Sequence, residues 1–473
     1  MTTAVVVGSG PNGLAAAIRL AQEGVRVRVL EARETIGGGT RSGERTLPGL
    51  IHDDCSAFHP TGVASPFLRS LGLEEYGLRW LRAGAELAHP LDSGAAGVLW
   101  RDVDRTAAQL PPADGRTWRR VFGRLASNVD RLADDVLGPL LHVPAAPLAL
   151  AEFGAQAVLP APWTARQWSG EQARALFGGA AAHAFGSLGG PFGSAIGLML
   201  VAVGHAHGWP VAQGGSQAVT TAMARLLRRL GGTVETGVEV LHLDQLDRPD
   251  LVLLDTGPHA AVRILGDRLP PRTARAYRRY RYGPAAFKVD LAVEGGIPWT
   301  NEHCRAAGTV HLGGTFEEVV AAEEATSCGR MPRRPFVLVG QQYLADPSRS
   351  AGDLHPVYAY AHVPHGYRGD ATEPVLDQIE RFAPGFRARI RARYVRTAAR
   401  LHSDNPNHVG GDITGGANTA RQLLLRPRPT RDPYATGIPG VYLCSAATPP
   451  GAGVHGMAGF HAAQSALRHL ARR

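Results

Sequence analysis

The feature that most constrains this chain is a glycine motif that directly follows its first apolar run. Residues 4–7 form a short apolar run typical of a buried parallel strand, and the motif GSGPNG follows at residues 8–13. Residues 14–23 have helical spacing, and a second apolar run over residues 25–30 ends in Glu31. This order of strand, turn, helix, strand and acid predicts a Rossmann-type dinucleotide-binding unit.

Each residue type in this unit has a physical reason. Gly8 permits a tight turn after the strand, Gly10 lets backbone approach a pyrophosphate, and Gly13 lets helix and strand pack closely. The loop, which includes Ser9, leads into a helix N-terminus whose free N–H groups and partial positive charge favour a phosphate. Glu31 is placed to accept hydrogen bonds from a ribose 2′-OH and would repel a phosphate there.

A second glycine motif favours flavin over nicotinamide. Residues 31–42 read EARETIGGGTRS, which resembles the second motif of glutathione-reductase-type FAD proteins, where backbone amides and an Arg meet the diphosphate. The spacing therefore predicts FAD as the cofactor. The candidate FAD-binding residues of this segment are Glu31, Ala32, Arg33, Gly38, Gly39, Thr40 and Arg41.

Two longer segments carry a family resemblance. Residues 37–60, GGGTRSGERTLPGLIHDDCSAFHP, and residues 440–459, GVYLCSAATPPGAGVHGMAG, resemble the phytoene-dehydrogenase-like branch of the flavin amine oxidase superfamily. Within that branch the chain is most similar to the group of pyridine nucleotide-disulfide oxidoreductase domain-containing proteins. The resemblance runs along the whole chain. It implies an α/β fold with a Rossmann-type, glutathione-reductase-like FAD-binding domain and a discontinuous α+β cap domain that binds substrate.

The resemblance also implies FAD contacts in later segments. The main chain of Val238 is expected to hold the adenine, and a closing helix over residues 454–472 is expected to point its N-terminus at the flavin pyrimidine. Residues 451–456 also spell GxGxxG, but no acidic residue follows in the remaining sequence, so no second nucleotide site is expected. The residues placed at the flavin here are Ser445, Gly453, His455, Gly456 and Met457.

The cofactor motifs are scattered along the chain, so we expect discontinuous domains. The FAD-binding domain is predicted over residues 1–85, 205–285 and 405–473. The substrate-binding cap is predicted over residues 86–204 and 286–404. With 473 residues, the chain is long enough for two intimately joined domains of this kind.

A stretch of 50 residues without Asp, Glu, Lys or Arg, residues 175–224, is the second unusual feature of the sequence. Its length raises the question of a membrane span, which needs ~20 predominantly apolar residues. Glycines and a proline interrupt it, and within it only residues 195–203 are strongly apolar. We therefore expect it to line a substrate chamber, with no transmembrane span.

The amino-acid composition limits which binding partners are expected. The formal net charge is +9, but Lys288 is the single lysine and the other 49 basic residues are Arg, which looks like codon preference and not a nucleic-acid-binding device. Four widely spaced cysteines without a CxxC pair indicate neither a zinc site nor a disulfide framework, so no metal is expected. No targeting segment is expected before the first strand, which favours the cytoplasm. Contact with a membrane surface and the oligomeric state are left open.

Lys288 and His59 are the candidate catalytic residues. Lys288 and Asp290 share one face of a predicted strand, residues 285–293, whose other face is apolar. This segment resembles the amine oxidase pattern in which a lysine reaches flavin N5 through a water, implying a role in proton transfer or oxygen reactivity. The alternative is a lysine that is merely paired with Asp290. His59 lies in the segment expected along the flavin ring, and either an acid–base or a structural role is open.

These features predict an FAD-dependent oxidoreductase that moves a hydride from a C–H bond of a largely apolar organic substrate to flavin N5, as desaturases and dehydrogenases do. One alternative is an amine oxidase-like flavoprotein that uses Lys288 and O2. An alternative of another class is a non-catalytic lipid- or prenyl-binding protein of the same fold, which the intact glycine motifs disfavour. O2 or a quinone is expected as electron acceptor in preference to NAD(P).

Overall fold

The structure is a computed structural model that describes residues 2–139 and 142–471. Its strands fall into a parallel sheet, a larger mixed sheet and two short pairs. The strands are β1 Thr3–Val7, β2 Arg26–Leu30, β3 Ser42–Glu44, β4 Ile51–Asp53, β5 Trp80–Leu81, β6 Ala85–Pro90, β7 Ala96–Leu99, β8 Val211–Ala212, β9 Thr233–Glu235, β10 Leu251–Leu254, β11 Ala285–Glu294, β12 Ala307–Leu312, β13 Val337–Gly340, β14 Leu354–Val363, β15 Ile390–Arg396 and β16 Val441–Leu443.

Helices cover both sheets. They are α1 Pro11–Gln22, α2 Pro60–Ala64, α3 Pro66–Ser70, α4 Val103–Ala108, α5 Pro112–Trp118, α6 Arg124–Ser127, α7 Val129–Val136, α8 Pro147–Ala157, α9 Ala161–Ala165, α10 Glu171–Ala182, α11 Ala195–Ala206, α12 Gln217–Arg229, α13 Pro258–Leu265, α14 Pro271–Arg278, α15 Glu302–Ala306, α16 Phe316–Ser327, α17 Gln342–Ala345, α18 Thr372–Phe382, α19 Ala398–Asp404, α20 Ala420–Leu425 and α21 Met457–Leu470.

The parallel sheet has the strand order β16-β10-β1-β2-β9. At its centre Val6 of β1 lies opposite Val29 of β2 and Leu253 of β10, and all three are fully buried. Such continuous apolar runs are typical of parallel strands covered on both faces. The Rossmann-type unit predicted from the sequence is confirmed. Its helix begins at Pro11 and not at residue 14, because the fixed φ of proline suits the first turn of a helix.

Helix α1 is held between the parallel sheet and α21 by glycines. A Cβ at Gly13 would lie 2.1 Å from the Gly8 carbonyl oxygen, and one at Gly459 would lie 1.8 Å from the Asn12 carbonyl oxygen. Helix α21 begins at Met457, three residues later than expected, because Gly456 takes a left-handed φ of 68° just before it. These close approaches place the glycine loop over the sheet.

The mixed sheet has seven strands in the order β15-β11-β14-β13-β12-β6-β7. Its longest pairing is antiparallel and runs from Ala285 opposite Val363 to Glu294 opposite Leu354. One face packs against α18, and the other face contacts α10 and α11 through Leu87. The second face carries Tyr358, Tyr360 and His362, because alternate residues of a strand point the same way.

The two sheets fall on different sides of the predicted domain division. The strands of the parallel sheet lie within residues 1–85, 205–285 and 405–473, and those of the seven-stranded sheet lie in the intervening ranges apart from the first residues of β6 and β11. The domain boundaries themselves stay a prediction.

The uncharged stretch folds into the end of α10, all of α11 and the beginning of α12. Helix α11 has 12 residues, well under the ~20 that a spanning helix needs. Within residues 2–139 and 142–471, none of the helices combines the length and apolarity required to cross a membrane.

The α1–α21 contact gives a stability prediction. Glycine to alanine inside a helix normally stabilises it by up to ~1 kcal/mol, but at Gly459 the added methyl meets the Asn12 carbonyl. We expect Gly459→Ala to lower the free energy of unfolding by about 1–3 kcal/mol, the usual range for overpacking. The midpoint of thermal unfolding measures this. In Gly154→Ala, where a Cβ meets nothing within 4 Å, the midpoint should not fall.

Candidate functional site

A continuous cavity of about 990 Å3 joins the glycine loop of the parallel sheet to a chamber under the cap helices. Its volume is at the upper end of the roughly 300–1,000 Å3 typical of small-molecule and cofactor sites. One end is polar and is built from the two glycine motifs. The other end is apolar and lies between α8, α11 and the mixed sheet.

Most of the residues predicted to bind FAD line this cavity. They are Gly8, Ser9, Gly10, Glu31, Ala32, Arg33, Gly38, Gly39, Thr40, Arg41, Val238, Ser445 and Gly453. The predicted residues that do not line it are Gly13, His455, Gly456 and Met457 among the cofactor candidates, and Lys288 and His59 among the catalytic ones. The cavity thus brings together the N-terminal motifs, one residue of the middle segment and two of the C-terminal segment.

The Glu31 carboxylate ties the two glycine motifs together. Its Oε2 accepts hydrogen bonds from the Ser9 backbone N–H at 3.0 Å and the Ser9 hydroxyl at 2.6 Å. Its Oε1 accepts from the Arg33 backbone N–H at 2.9 Å and from the Arg41 guanidinium at 3.0 Å. These bonds use about as many lone-pair sites as a carboxylate has. The hydrogen bond expected from a ribose 2′-OH to Glu31 therefore stays a prediction. To accept it, Glu31 has to give up one of these four bonds.

A second carboxylate, Asp255, lies under the glycine loop at the end of β10. Its Oδ2 accepts a hydrogen bond from the Gly13 N–H at 3.0 Å, and a Cβ at Gly10 would lie 2.7 Å from the same oxygen. Burial raises the pKa of Asp255 to about 7, the Gly13 N–H lowers it, and the nearby Glu31 carboxylate raises it further. Glycine at position 10 is thus required by Asp255 as well as by the expected pyrophosphate.

The apolar end of the cavity, which we call the chamber, has no Asp, Glu, Lys or Arg among the lining residues that lie in the described part of the chain. The uncharged stretch contributes much of the wall, as expected from the sequence. The chamber residues are Val136, Leu137, Leu150, Phe153, Gly154, Ala157, His183, Phe185, Phe192, Ala195, Ile196, Met199, Leu200, Trp209, Thr309, Leu338, Tyr358, Tyr360 and Ile413.

A pair of histidines supplies the strongest polar feature of the chamber. His183, at the end of α10, lines the chamber, and its Nε2 lies 3.0 Å from Nε2 of the fully buried His311 on β12. Burial lowers the pKa of His183 to about 3 and holds that of His311 well below its usual value. Both imidazoles are therefore neutral near pH 7, and one nitrogen donates while the other accepts.

Lys288 is buried on the chamber side of β11 but does not reach the chamber. Its Nζ forms a short ion pair with Asp290 and lies 4.2 Å from the centroid of the Tyr358 ring. Burial lowers the pKa of Lys288, while Asp290 raises it. The structure thus contains the Lys288–Asp290 pair, which was the alternative to a catalytic role in the sequence analysis. A catalytic role for Lys288 stays a prediction that this geometry does not support.

His59 and His455 both lie behind the cavity wall. The Nε2 of His59 lies 2.9 Å from the Ser216 hydroxyl, and burial lowers the pKa of His59 to about 4. His455 accepts the Met457 N–H at 3.0 Å through Nδ1, and Gly456 packs towards Ala15 of α1. Positions 455–457 therefore fix the start of α21 against α1. The acid–base role of His59 remains a prediction without geometric support.

The polar end fits the expected FAD. A Cβ at Gly38 would lie 3.2 Å from the Gly10 Cα, and Gly38 has a left-handed φ of 55°. Because position 38 is a glycine, the two motifs can meet. We call residues 8–13 and 38–41 together the glycine cradle. Buried polar atoms normally have hydrogen-bond partners. Among the residues that the structure describes, cavity-lining side chains with a buried atom that has no partner are Asn12, Thr256, Tyr282 and His408, together with Thr309 of the chamber. These atoms indicate a ligand that offers hydrogen bonds at several points.

Comparison with known sequences finds relatives that match nearly the whole chain. Residues 6–71 match the family model described as an NAD(P)-binding Rossmann-like domain. The mouse protein named pyridine nucleotide-disulfide oxidoreductase domain-containing protein 2 is 26% identical over 99% of this chain and 93% of its own length. Hydroxyneurosporene desaturase of Cereibacter sphaeroides is 25% identical over 99% of this chain and 98% of its own length.

Solved structures share the architecture. An oxidoreductase from Methanosarcina mazei has a TM-score of 0.64 at 16% identity, covering 99% of this chain and 100% of its own. Putrescine oxidase bound to putrescine has a TM-score of 0.59 at 19% identity, covering 100% of this chain and 99% of its own. The fold class and the family resemblance expected from the sequence are confirmed.

Two residues of the site, Asp255 and His183, were not predicted from the sequence. Asp255 had a usable signal, because it ends an apolar run and ligands in open α/β sheets bind at the carboxyl ends of strands. His183 had none, since its partner His311 is 128 residues away and no local pattern joins them.

The contacts of Arg41 give a prediction for cofactor affinity. Replacing Arg41 by Gln removes the guanidinium that neutralises Glu31 and leaves that carboxylate to repel a diphosphate. We expect the Kd for FAD to rise at least roughly tenfold, as for the loss of a charge-assisted hydrogen bond. Equilibrium dialysis with FAD measures this. Arg28→Gln, on the strand that precedes Glu31 but in partly exposed ion pairs away from the cavity, should leave the Kd unchanged.

Proposed function

We propose that this chain, an FAD-dependent oxidoreductase with the fold of the flavin amine oxidases, removes hydride from a C–H bond of a largely apolar substrate and leaves a double bond. The observation that carries the proposal is the chamber, an apolar space without a charged lining residue that is continuous with the dinucleotide cradle. The relatives include a hydroxyneurosporene desaturase and a lycopene-forming phytoene desaturase, which are named for largely apolar substrates. An uncharged chamber suits molecules of that class, because burying unpaired charge is costly and burying apolar surface is favourable.

The chain's own residues define where the reaction would occur. FAD, when bound, supplies the hydride acceptor. Cys55, Ser56, Ala57 and Phe58 line the cavity between its two ends. The Tyr358 hydroxyl donates a short hydrogen bond to the Cys55 carbonyl, which fixes this segment to the mixed sheet. This segment is the part of the wall that a flavin ring reaching from the cradle to the chamber would contact.

Forming a double bond also requires a proton to leave the carbon next to the one that loses hydride. His183 is the chamber residue suited to accept it, because its imidazole is neutral and His311 fixes Nε2 from behind. A weak base suffices here, since a C–H bond next to a developing cationic carbon is strongly acidic. His183 would take the proton at Nδ1. Its Nε2 would then carry the hydrogen that it donates to Nε2 of His311.

The amine oxidase alternative has less support. A buried cationic amine is costly unless a carboxylate pairs with it. The described chamber residues include no carboxylate, and the Lys288 ammonium already lies against the Tyr358 ring. The lipid-binding alternative is disfavoured by the complete pair of glycine motifs, which a protein without flavin would not need.

O2 or a quinone is the electron acceptor that we propose. The parallel sheet supplies one glycine cradle, and FAD takes that cradle in this account. A nicotinamide dinucleotide would need a second cradle, and residues 451–456, the other GxGxxG sequence, form the turn that leads into α21.

Anaerobic flavin reduction tests the proposal. The purified protein should be yellow with an oxidised-flavin spectrum, and at least one solubilised compound from a panel containing phytoene and hydroxyneurosporene should bleach it. Putrescine, NADH and NADPH should not bleach it. Absence of flavin from well-folded protein, or bleaching by putrescine or NAD(P)H in place of the apolar panel, would contradict the proposal.

His183 gives a sharper test of the proton step. In His183→Phe, we expect flavin reduction by the compound that bleaches the wild type to slow at least ~100-fold, the usual contribution of a positioned acid or base. FAD content and photochemical reduction of the flavin should be unchanged, which separates loss of the base from loss of the fold. His207→Gln, in the same uncharged stretch but hydrogen-bonded to Asp130 outside the chamber, should react at the wild-type rate.

A further inference from the structure

The glycine cradle contains an internal anion at the place where a phosphate is expected. The N-terminus of α1 attracts negative charge through its free N–H groups and the helix dipole. One of those N–H groups, that of Gly13, already donates to Asp255 Oδ2 at 3.0 Å. Asp255 also lines the same cavity as Gly8, Ser9 and Gly10.

The two carboxylates beside the cradle are compensated to different extents. Glu31 is held by an ion pair with Arg41 at 3.0 Å and by bonds from Ser9 and Arg33. The backbone N–H groups of Gly10 and Gly13 favour the ionised form of Asp255. In the described part of the chain, no cation is among the principal influences on this carboxylate. A diphosphate at the cradle would add negative charge beside this carboxylate.

The other titratable groups near Asp255 do not offset its charge. Cys444, at the end of the neighbouring strand β16, is a buried thiol whose pKa is held well above its usual value, so it stays neutral. His408 lines the same cavity, and burial lowers its pKa to about 4, so it is also neutral near pH 7. Arg263 on α13 also lines the cavity, but it is not among the principal influences on the Asp255 carboxylate. Asn407 donates to the backbone carbonyl of Asp255 and not to its carboxylate.

We propose that Asp255 is a proton-coupled part of the FAD site: the cradle takes the diphosphate with Asp255 protonated, and ionised Asp255 opposes FAD binding. Protonated, the carboxyl group keeps its Gly13 contact through one oxygen and gains an O–H that can donate to a phosphate oxygen. Ionised, it competes with the diphosphate for the helix N-terminus and repels it. The inference rests on the proposed function only in that FAD occupies this cradle.

The sign of the pH dependence follows from proton uptake on binding. If only the protonated form binds FAD, affinity is constant below the pKa of Asp255, which burial raises to about 7, and falls tenfold per pH unit well above it. The Kd for FAD should therefore rise by about 30-fold between pH 6.0 and pH 8.5. In Asp255→Asn, which keeps an oxygen for the Gly13 N–H, affinity should be independent of pH and tighter than wild type at pH 8.5.

Equilibrium dialysis of the full chain against FAD at pH 6.0 to 8.5 tests this, with folding followed by circular dichroism. Asp250→Asn, a carboxylate at the other end of β10 that bonds to Thr3, should keep the wild-type slope. Calorimetric titration in two buffers of different ionisation enthalpy should count about one proton taken up per FAD at pH 8.5 in the wild type. That count tests the proposal even where Asp255→Asn folds poorly.

A wild-type Kd that does not change with pH, a proton count near zero, or an unchanged slope in folded Asp255→Asn would overturn the proposal. Each of these outcomes would leave FAD binding and the proposed function intact. Failure of the folded wild type to bind FAD at every pH would overturn the proposed function and this inference together.

Discussion

The hydrogen bonds and the ion pair of the Glu31 carboxylate are the interactions on which the site depends. Its bonds to Ser9, Arg33 and Arg41 join the loop after β1 to the segment after β2, and the cradle exists only where these two segments meet. The close contact between Gly38 and Gly10 depends on this join. Because the carboxylate is paired with Arg41, the negative charge of the acid does not accumulate where a diphosphate is expected. The cradle in turn sets one end of the cavity, and the mixed sheet and cap helices set the other.

The division between polar cradle and apolar chamber follows from where the charged residues were placed in the chain. The uncharged stretch supplies α11 and the end of α10, so the part of the chamber wall that it forms has no charged side chains to desolvate when an apolar ligand binds. Lys288 and Asp290, two of the charges buried near the chamber, are paired with each other beside the Tyr358 ring, and Asp290 also lies 3.6 Å from the Arg396 guanidinium. The pairing keeps both charges compensated and away from the apolar end of the cavity.

The sequence allowed the cradle to be predicted because its signals are local. GSGPNG after an apolar run, an acid after the next run, and GGGTR within twelve residues of that acid each depend on neighbours in the chain. Lys288 and His59 could not be placed this way. Alternation along β11 correctly puts Lys288 opposite the apolar face, but whether it reaches a cavity depends on Tyr358, which comes from another strand. His183 and His311 likewise meet only through the packing of α10 on the mixed sheet.

The central claim is that one FAD spans the cavity, with its diphosphate in the glycine cradle and its flavin ring beside residues 55–58 at the mouth of the chamber. A crystal structure of the protein with FAD tests it most directly. We expect density for the diphosphate against residues 8–13 and 38–41 and for the ring between Cys55 and the chamber. An empty cradle in FAD-saturated crystals, or a ring turned away from the chamber, would contradict it.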